Sequence, residues 1–322
     1  MKALVSEIQN KYLRVKTVNY GSSLYEVYHK LKKKNLILNL GSKENYKFKN
    51  FSVGATCGRY AGRIANSKFY IGKKKFLLSK NDNNNTLHGG DKGFDILPWK
   101  KTIQTKNKIV YQLESKHLDQ GFPGNLLVRC TYQIINKYLK INYEYKSDKY
   151  THVNLTNHSY WNLSKNKKDK IFDHFLVINS KKYLETNKSL IPTGRIKNIK
   201  KKKYDFSTFE SLQKKLFKSS KSKKKKKLSG LDTTYVIKKS SNYYVGSLKN
   251  KNTNIQIDFF SNLPGLQVYT AQNLKFKKKL YPYQGICLET QYYPDTPNKK
   301  KFPSTLIKPN KLYKCYTKIK IN

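Results

Sequence analysis

Along Tyr138-Leu139-Lys140-Ile141-Asn142-Tyr143-Glu144-Tyr145, apolar and polar residues alternate one by one, the period of a strand with one buried face. Further short apolar runs read as strands: Phe69-Tyr70-Ile71, Ile109 to Leu113, Phe175 to Ile178, Thr234 to Ile237, Ile255 to Phe259, Leu266 to Tyr269 and Ile286 to Glu289. Turn residues (Gly, Asn, Asp, Pro) separate them. Helical spacing is confined to about Thr208 to Phe217, with Phe209, Leu212, Leu216 and Phe217 on one side. Many strands, almost no helix, and no internal repeat or Pro/Gly/Ser linker predict an all-β chain, one large antiparallel β-sandwich domain spanning 1–322. The lysine run from Lys221 to Lys227, broken by Ser222, predicts an exposed loop at about 218–228.

Composition agrees with a folded protein, since 37% of the 322 residues are hydrophobic and 13% aromatic, too many for a basic disordered tail. The charge is extreme, with 67 Lys and Arg against 19 Asp and Glu, a formal net charge of +48. Five of the 67 are arginines (Arg14, Arg59, Arg63, Arg129, Arg195), so 62 are lysines. Nucleic-acid readers favour the planar guanidinium fork over the flexible ammonium. Lysine accompanied by abundant Asn, Ile and Tyr instead reads as solvated surface shaped by an A+T-rich genome. No specific nucleic acid is expected, and the charge implies only weak, salt-sensitive association with polyanions.

No run approaches the roughly 18 uncharged apolar residues of a membrane span, and Lys2, Glu7, Lys11 and Arg14 interrupt the start of the chain. Neither a membrane partner nor a signal peptide is expected. Cys57, Cys130, Cys287 and Cys315 are scattered, with no C-x-x-C pair. They fit a reducing cytoplasm, the location expected for this chain, although a secreted protein that kept them reduced would fit them too.

Four stretches carry candidate chemistry. In Gly285 to Gln291, strand geometry puts Cys287, Glu289 and Gln291 on one face, and a carboxylate held there is partly desolvated. Glu289 reads either as a proton acceptor or as half of a structural ion pair with a lysine. In Val153 to Leu163, Asn154, Thr156, His158 and Tyr160 share a polar and aromatic face. His158 reads as a structural histidine or as part of a sugar pocket, where aromatic faces stack on pyranose C–H faces and amides answer hydroxyls. In Asn83 to Gly90, His88 precedes paired glycines that let backbone approach a ligand. Gly58 to Asn66 concentrates Arg59 and Arg63, where the fork itself is needed or an arginine packs on Tyr60.

The sequence holds no H-E-x-x-H, G-x-S-x-G, P-loop or dinucleotide fingerprint. A metal set of His88, His158, Asp232 and Glu289 lacks any close ligand pair, so no metal is expected.

Together these segments resemble the aldose 1-epimerase (galactose mutarotase) family. The resemblance runs through Asn19-Tyr20-Gly21, Gly58 to Asn66, Leu87 to Gly90, Lys92 to Asp95 with Trp99, Gly121 to Asn125, Asn154 to Leu163, Ile191 to Gly194, Tyr204 to Phe206, Gly230 to Asp232, Gly265 to Tyr269, Leu288 to Gln291, and Pro294-Asp295 with Pro297-Asn298. It implies a galactose-mutarotase-like sandwich that interconverts the α and β anomers of free aldohexoses such as galactose and glucose, without a cofactor. By motif position it implies Glu289 as general base, His158 as general acid, and Arg63, His88, Asp232 and Gln267 as holders of the sugar hydroxyls, with Tyr160 in the same pocket. Gly62 departs from the family's usual asparagine, His152 from a proline, and Trp161 from a phenylalanine. The alternatives are a mutarotase of hexose phosphates and a non-catalytic sugar- or polyanion-binding protein. Monomer and homodimer are both compatible with the sequence.

Overall fold

A computed structural model describes residues 1–200, 203–218 and 227–322. Nine strands form the larger antiparallel sheet, in the spatial order Lys100–Gln104, Lys108–Ser115, Leu126–Ile135, Tyr138–Ser147, Tyr313–Ile321, Ile255–Ser261, Tyr244–Asn250, His174–Ile178 and Glu210–Ser211. The alternating segment behaves as read: along Tyr138–Ser147 every second residue is buried. Tyr138–Ser147 pairs with Leu126–Ile135 on one side and Tyr313–Ile321 on the other.

A six-stranded antiparallel sheet covers the apolar face of the first, in the order Tyr160–Trp161, Ile286–Gln291, Gly265–Tyr269, Asp232–Val236, Lys182–Thr186 and Pro192–Asn198. One core joins the two sheets, with Ile141, Tyr143, Ile257 and Ile319 from the larger meeting Leu266, Val268, Ile286 and Leu288 from the smaller. Trp161 meets Phe259 edge-on at 5.7 Å across the gap, and Thr290 shares a hydroxyl hydrogen bond with Thr317. This is the expected β-sandwich. The strand Ile286–Gln291 is buried on both faces: its even positions fill the core, and its odd ones face away from it.

The expected helix at Thr208 to Phe217 shrinks to one turn, Leu212–Leu216. Glu210–Ser211 instead pairs with the edge of His174–Ile178, and the Ser211 hydroxyl accepts the Lys214 N–H as an N-cap, so the helix starts only at Leu212. Leu212 and Leu216 are its buried anchors, whereas Phe209 is exposed. The expected lysine loop falls mostly on 219–226, outside the described residues. Its flanks, Phe217–Lys218 and Lys227–Leu228, pair antiparallel.

Candidate active site

On the outer face of the six-stranded sheet lies a cavity of about 640 Å³, within the range of small-molecule pockets. Strand register builds its floor. Gln267 stands opposite Glu289, and Thr234 opposite Gln267, so three neighbouring strands present one row of polar side chains. Gln267 uses both ends of its amide: Nε2 donates to Asp232 Oδ1 at 2.5 Å, and Oε1 accepts from the Thr234 hydroxyl. A second element adds the wall, because Arg63–Ile64 pairs with Thr86–Leu87 and brings Arg63 and His88 to the same rim. All seven residues singled out from the sequence (Arg63, His88, His158, Tyr160, Asp232, Gln267, Glu289) line this one cavity.

Glu289 is 2% exposed, and its Oε1 lies 3.7 Å from His158 Nε2. Among the described residues no lysine or arginine pairs with it, so the structural ion-pair reading does not hold. Burial, followed by the charge of Asp232, pushes its carboxyl well above the ordinary range. Burial also pulls the His158 imidazolium down to about 4. The His158 backbone is pinned by Ala55 and Gly54, and its Nδ1 lies 3.5 Å from Cys287 Sγ.

The His88 ring is held by the Gly62 N–H, which donates to Nδ1 at 3.2 Å and leaves Nε2 to carry the hydrogen of the neutral ring. Burial, then His158 and Arg63, lowers its pKa well below the usual value. Asp232 is raised to about 6 by burial, opposed by Arg63 and Gln267. Arg63 Nε donates to Asp82 Oδ2 at 2.7 Å. Tyr160 donates its hydroxyl to Phe51 O at 3.0 Å, so it presents a ring to the cavity, 5.1 Å from the His158 ring.

Two sequence expectations need correction, whereas Arg59 uses its fork, as one of the two readings of it had it. Val153 to Leu163 is not one strand: Thr156–Asn157 and Tyr160–Trp161 are short pieces with different partners. Only His158 and Tyr160 of its polar residues reach the cavity. Asn154 donates to Ala61 O and Tyr292 O, and Thr156 to Thr290 O, so their polarity satisfies crossing backbone. The glycine after His88 serves chain packing, since a Cβ at Gly89 would lie 2.1 Å from Gly58 O. Arg59 turns away from the cavity. Its guanidinium is buried and donates to the carbonyls of Ser115, Lys116, Pro123 and Gly124, a use of the fork that no lysine reproduces.

The closest metal-like cluster differs from the one weighed on sequence: donor atoms of His158, Cys287 and Glu289 lie within 4.8 Å of one another. Cys287 addresses Nδ1 of the ring and Glu289 addresses Nε2. Sequence reasoning missed Asp82, Asp95, Tyr269 and Lys49, which also line the site or hold its members. Asp82 sits in an Asn-rich turn with no periodicity to mark it. Asp95, buried and accepting from Ser52 at 2.7 Å, lay within a recognised motif and carried a readable signal.

The aldose 1-epimerase family model matches residues 5–320. Human galactose mutarotase is 31% identical over 317 residues, covering 95% of this chain and 90% of its own. The aldose 1-epimerase of Haemophilus influenzae is 33% identical over 267 residues, covering 80% and 77%. Among solved structures, an aldose epimerase homologue from C. elegans superposes with a TM-score of 0.92 at 24% identity, covering 100% of this chain and 99% of its own. On this evidence of sequence over nearly its whole length, the chain belongs to the aldose 1-epimerase family of isomerases.

Proposed function

We propose that this enzyme interconverts the α and β anomers of free aldohexoses, galactose and glucose among them, with Glu289 as general base and His158 as general acid. The observation that carries the assignment is the 3.7 Å separation of Glu289 Oε1 and His158 Nε2 at the wall of a hexose-sized cavity. The anomeric hydroxyl and the ring oxygen are both bonded to C1, so two proton-transfer groups serving them must stand this close.

Ring opening follows directly. Burial keeps the pair's one proton mainly on Glu289, and the reacting form is the minor one in which it sits on His158. The Glu289 carboxylate then takes the proton of the C1 hydroxyl while the His158 imidazolium gives one to the ring oxygen. The C1–O5 bond breaks, its electron pair stays on O5, and an open-chain aldehyde remains. Rotation about C1–C2 presents the other carbonyl face. Glu289, now a carboxylic acid, returns its proton to the carbonyl oxygen as the neutral imidazole takes one from the C5 hydroxyl, and the ring closes. Protons balance within the pair, and the site proposed here uses no cofactor. Arg63, His88, Asp232 and Gln267 hold the sugar hydroxyls, and the Tyr160 ring supports its C–H face.

A neutral sugar is favoured over a hexose phosphate. Asp82, Asp91, Asp95, Asp232 and Glu289 line or adjoin the cavity against Arg63 and Lys49, a balance unsuited to a dianion. The same reading treats 1–322 as one domain working in the cytoplasm, in keeping with four free, buried thiols. Polarimetry of freshly dissolved α-D-galactose tests it. The wild type should speed the decay of rotation, and folded Glu289→Gln and His158→Asn variants should lose most of that acceleration. A wild type that leaves galactose, glucose and their 6-phosphates at the spontaneous rate would favour a non-catalytic sugar-binding protein.

A further inference from the structure

Two positions beyond Glu289, on the same face of the same strand, Gln291 lines the cavity at 1% exposure. Neither its Nε2 nor its Oε1 has a hydrogen-bond partner among the described residues. A primary amide brings two donor hydrogens and an acceptor oxygen, and buried groups of this kind are almost always paired. An orphan amide beside a ligand cavity therefore asks for its partner.

Its neighbours account for the vacancy of its hydrogen bonds. In the register that sets Gln267 opposite Glu289, the residue opposite Gln291 is Gly265, which has no side chain to offer. On the other wall stands Gly62, where an added Cβ would lie 3.6 Å from Gln291 Nε2. Gly62 holds φ +78° and a Cβ there would meet Pro294 at 3.0 Å, so the backbone itself disfavours a side chain at that place. Two positions that adjoin Gln291, one across the strand pair and one on the facing wall, are thus glycines.

We propose that Gln291 is a specificity-determining residue whose amide binds a hydroxyl of the aldose on the part of the ring remote from C1. The proposal rests on the mutarotase reading, which puts C1 at Glu289. Alternate residues on one face of a strand are about 6.5–7 Å apart, roughly the breadth of a pyranose ring with its substituents. The hydroxyl within reach is therefore that on C3 or C4. A hydroxyl both donates and accepts, matching an amide that presents both functions.

The test compares galactose with its 2-, 3-, 4- and 6-deoxy analogues by polarimetry, in the wild type and in the near-isosteric Gln291→Met. The wild type should lose at least about tenfold in kcat/KM on either the 3-deoxy or the 4-deoxy sugar, since a site built to pair a hydroxyl rejects the analogue lacking it. Gln291→Met should lose that one discrimination, chiefly through a higher KM for galactose, and keep those at the other positions. Its thermal midpoint without sugar should equal or exceed that of the wild type, because an unpaired polar group has been removed from the interior. A wild type indifferent to both the 3-deoxy and the 4-deoxy sugar overturns the proposal without need of a variant, as does a Gln291→Met enzyme that melts earlier yet discriminates unchanged. A wild type that accelerates no mutarotation overturns the mutarotase reading instead. Calorimetric binding of the same five sugars to the same two proteins then decides the Gln291 contact by itself.

Discussion

Glu289 Oε1 lies 3.7 Å from His158 Nε2, both side chains are buried, and the glutamate has no lysine or arginine partner among the described residues despite a net charge of +48. In a chain this rich in cations, an acid left beside an imidazole alone marks a place where the surrounding structure keeps lysines out. In the mechanism proposed above the pair is a proton-transfer couple whose members act as one unit, and that shapes what mutation should do.

Each of Glu289→Gln and His158→Asn should lower kcat by about 10²–10⁴-fold, the range of one positioned proton transfer. The double variant should lose little more than the worse single one, because either loss already disables the concerted step. Polarimetric kcat values for the four proteins check this, and losses that multiply would show two groups acting independently.

The pH profile follows from the same burial. His158 is lowered from 6.5 to about 4, and Glu289 is raised well above 4.5, so across the interval between them the pair carries one proton in total. Below about pH 4 a second proton binds and the base is lost; above the raised value of Glu289 the last proton leaves and the acid is lost. A plot of kcat/KM against pH, corrected for spontaneous mutarotation, should be level between these limbs. An acid limb near the ordinary imidazole value of 6.5 would show that the pocket does not desolvate His158.

Behind the pair, Cys287 Sγ stands 3.5 Å from His158 Nδ1, and burial holds the thiol in its protonated form. In the proposed mechanism the imidazolium carries hydrogen on both ring nitrogens, so Nδ1–H donates to the Cys287 sulfur and stays in place when Nε2 gives up its proton. Cys287→Ser should keep most of the activity, since the hydroxyl oxygen also accepts. Cys287→Ala should lower kcat by about fivefold to tenfold, the worth of one ordinary hydrogen bond, with a smaller change in KM. Nitrogen-15 shifts of the His158 ring report the tautomer directly, and an alanine variant with unaltered kcat and tautomer would dismiss this role.

Much of this was legible in the sequence because strand period is a local property. The two-residue alternation in Ile286–Gln291 placed Glu289 and Gln291 on one face, and both line the cavity. The same logic failed at Val153 to Leu163, where His158 and Tyr160 reach the cavity while Asn154 and Thr156 serve crossing backbone. Periodicity cannot show that a strand is broken into two-residue bridges with different partners, since that depends on segments distant in sequence. Arg59 and Arg63 were likewise indistinguishable by type, and their surroundings separate them completely.

That separation is measurable. Arg59→Met strands the carbonyls of Ser115, Pro123 and Gly124, all buried, and the half-buried one of Lys116, which the guanidinium now satisfies. It should cost on the order of 3 kcal/mol in urea unfolding. Arg63 is partly exposed and paired with Asp82. Arg63→Met should therefore cost little stability and instead raise KM for galactose. Equal stability losses for the two variants would contradict this division of structural from binding arginine.

His152, outside the cavity, offers a stability test free of catalysis. It packs edge-on against Phe69 at 5.0 Å, its Nδ1 lies 2.9 Å from Thr305 Oγ1, and burial lowers its pKa from 6.5 to about 4. A folded-state pKa below the unfolded one means that the unfolded chain binds the extra proton first as pH falls. The stability contributed by the neutral ring is thus fully present above about pH 6.5 and is lost progressively down to about pH 4, by on the order of 3 kcal/mol in all. Asp232 and Glu289, raised by burial, work in the opposite sense over part of the same interval, so the wild-type curve alone mixes the contributions. Subtracting the curve of His152→Gln, whose amide does not titrate, removes every group the two proteins share. The difference in unfolding free energy should be level above pH 7 and fall steadily toward pH 4. A difference that stays flat through that window would mean that His152 accepts its proton in the folded protein as readily as in the unfolded one.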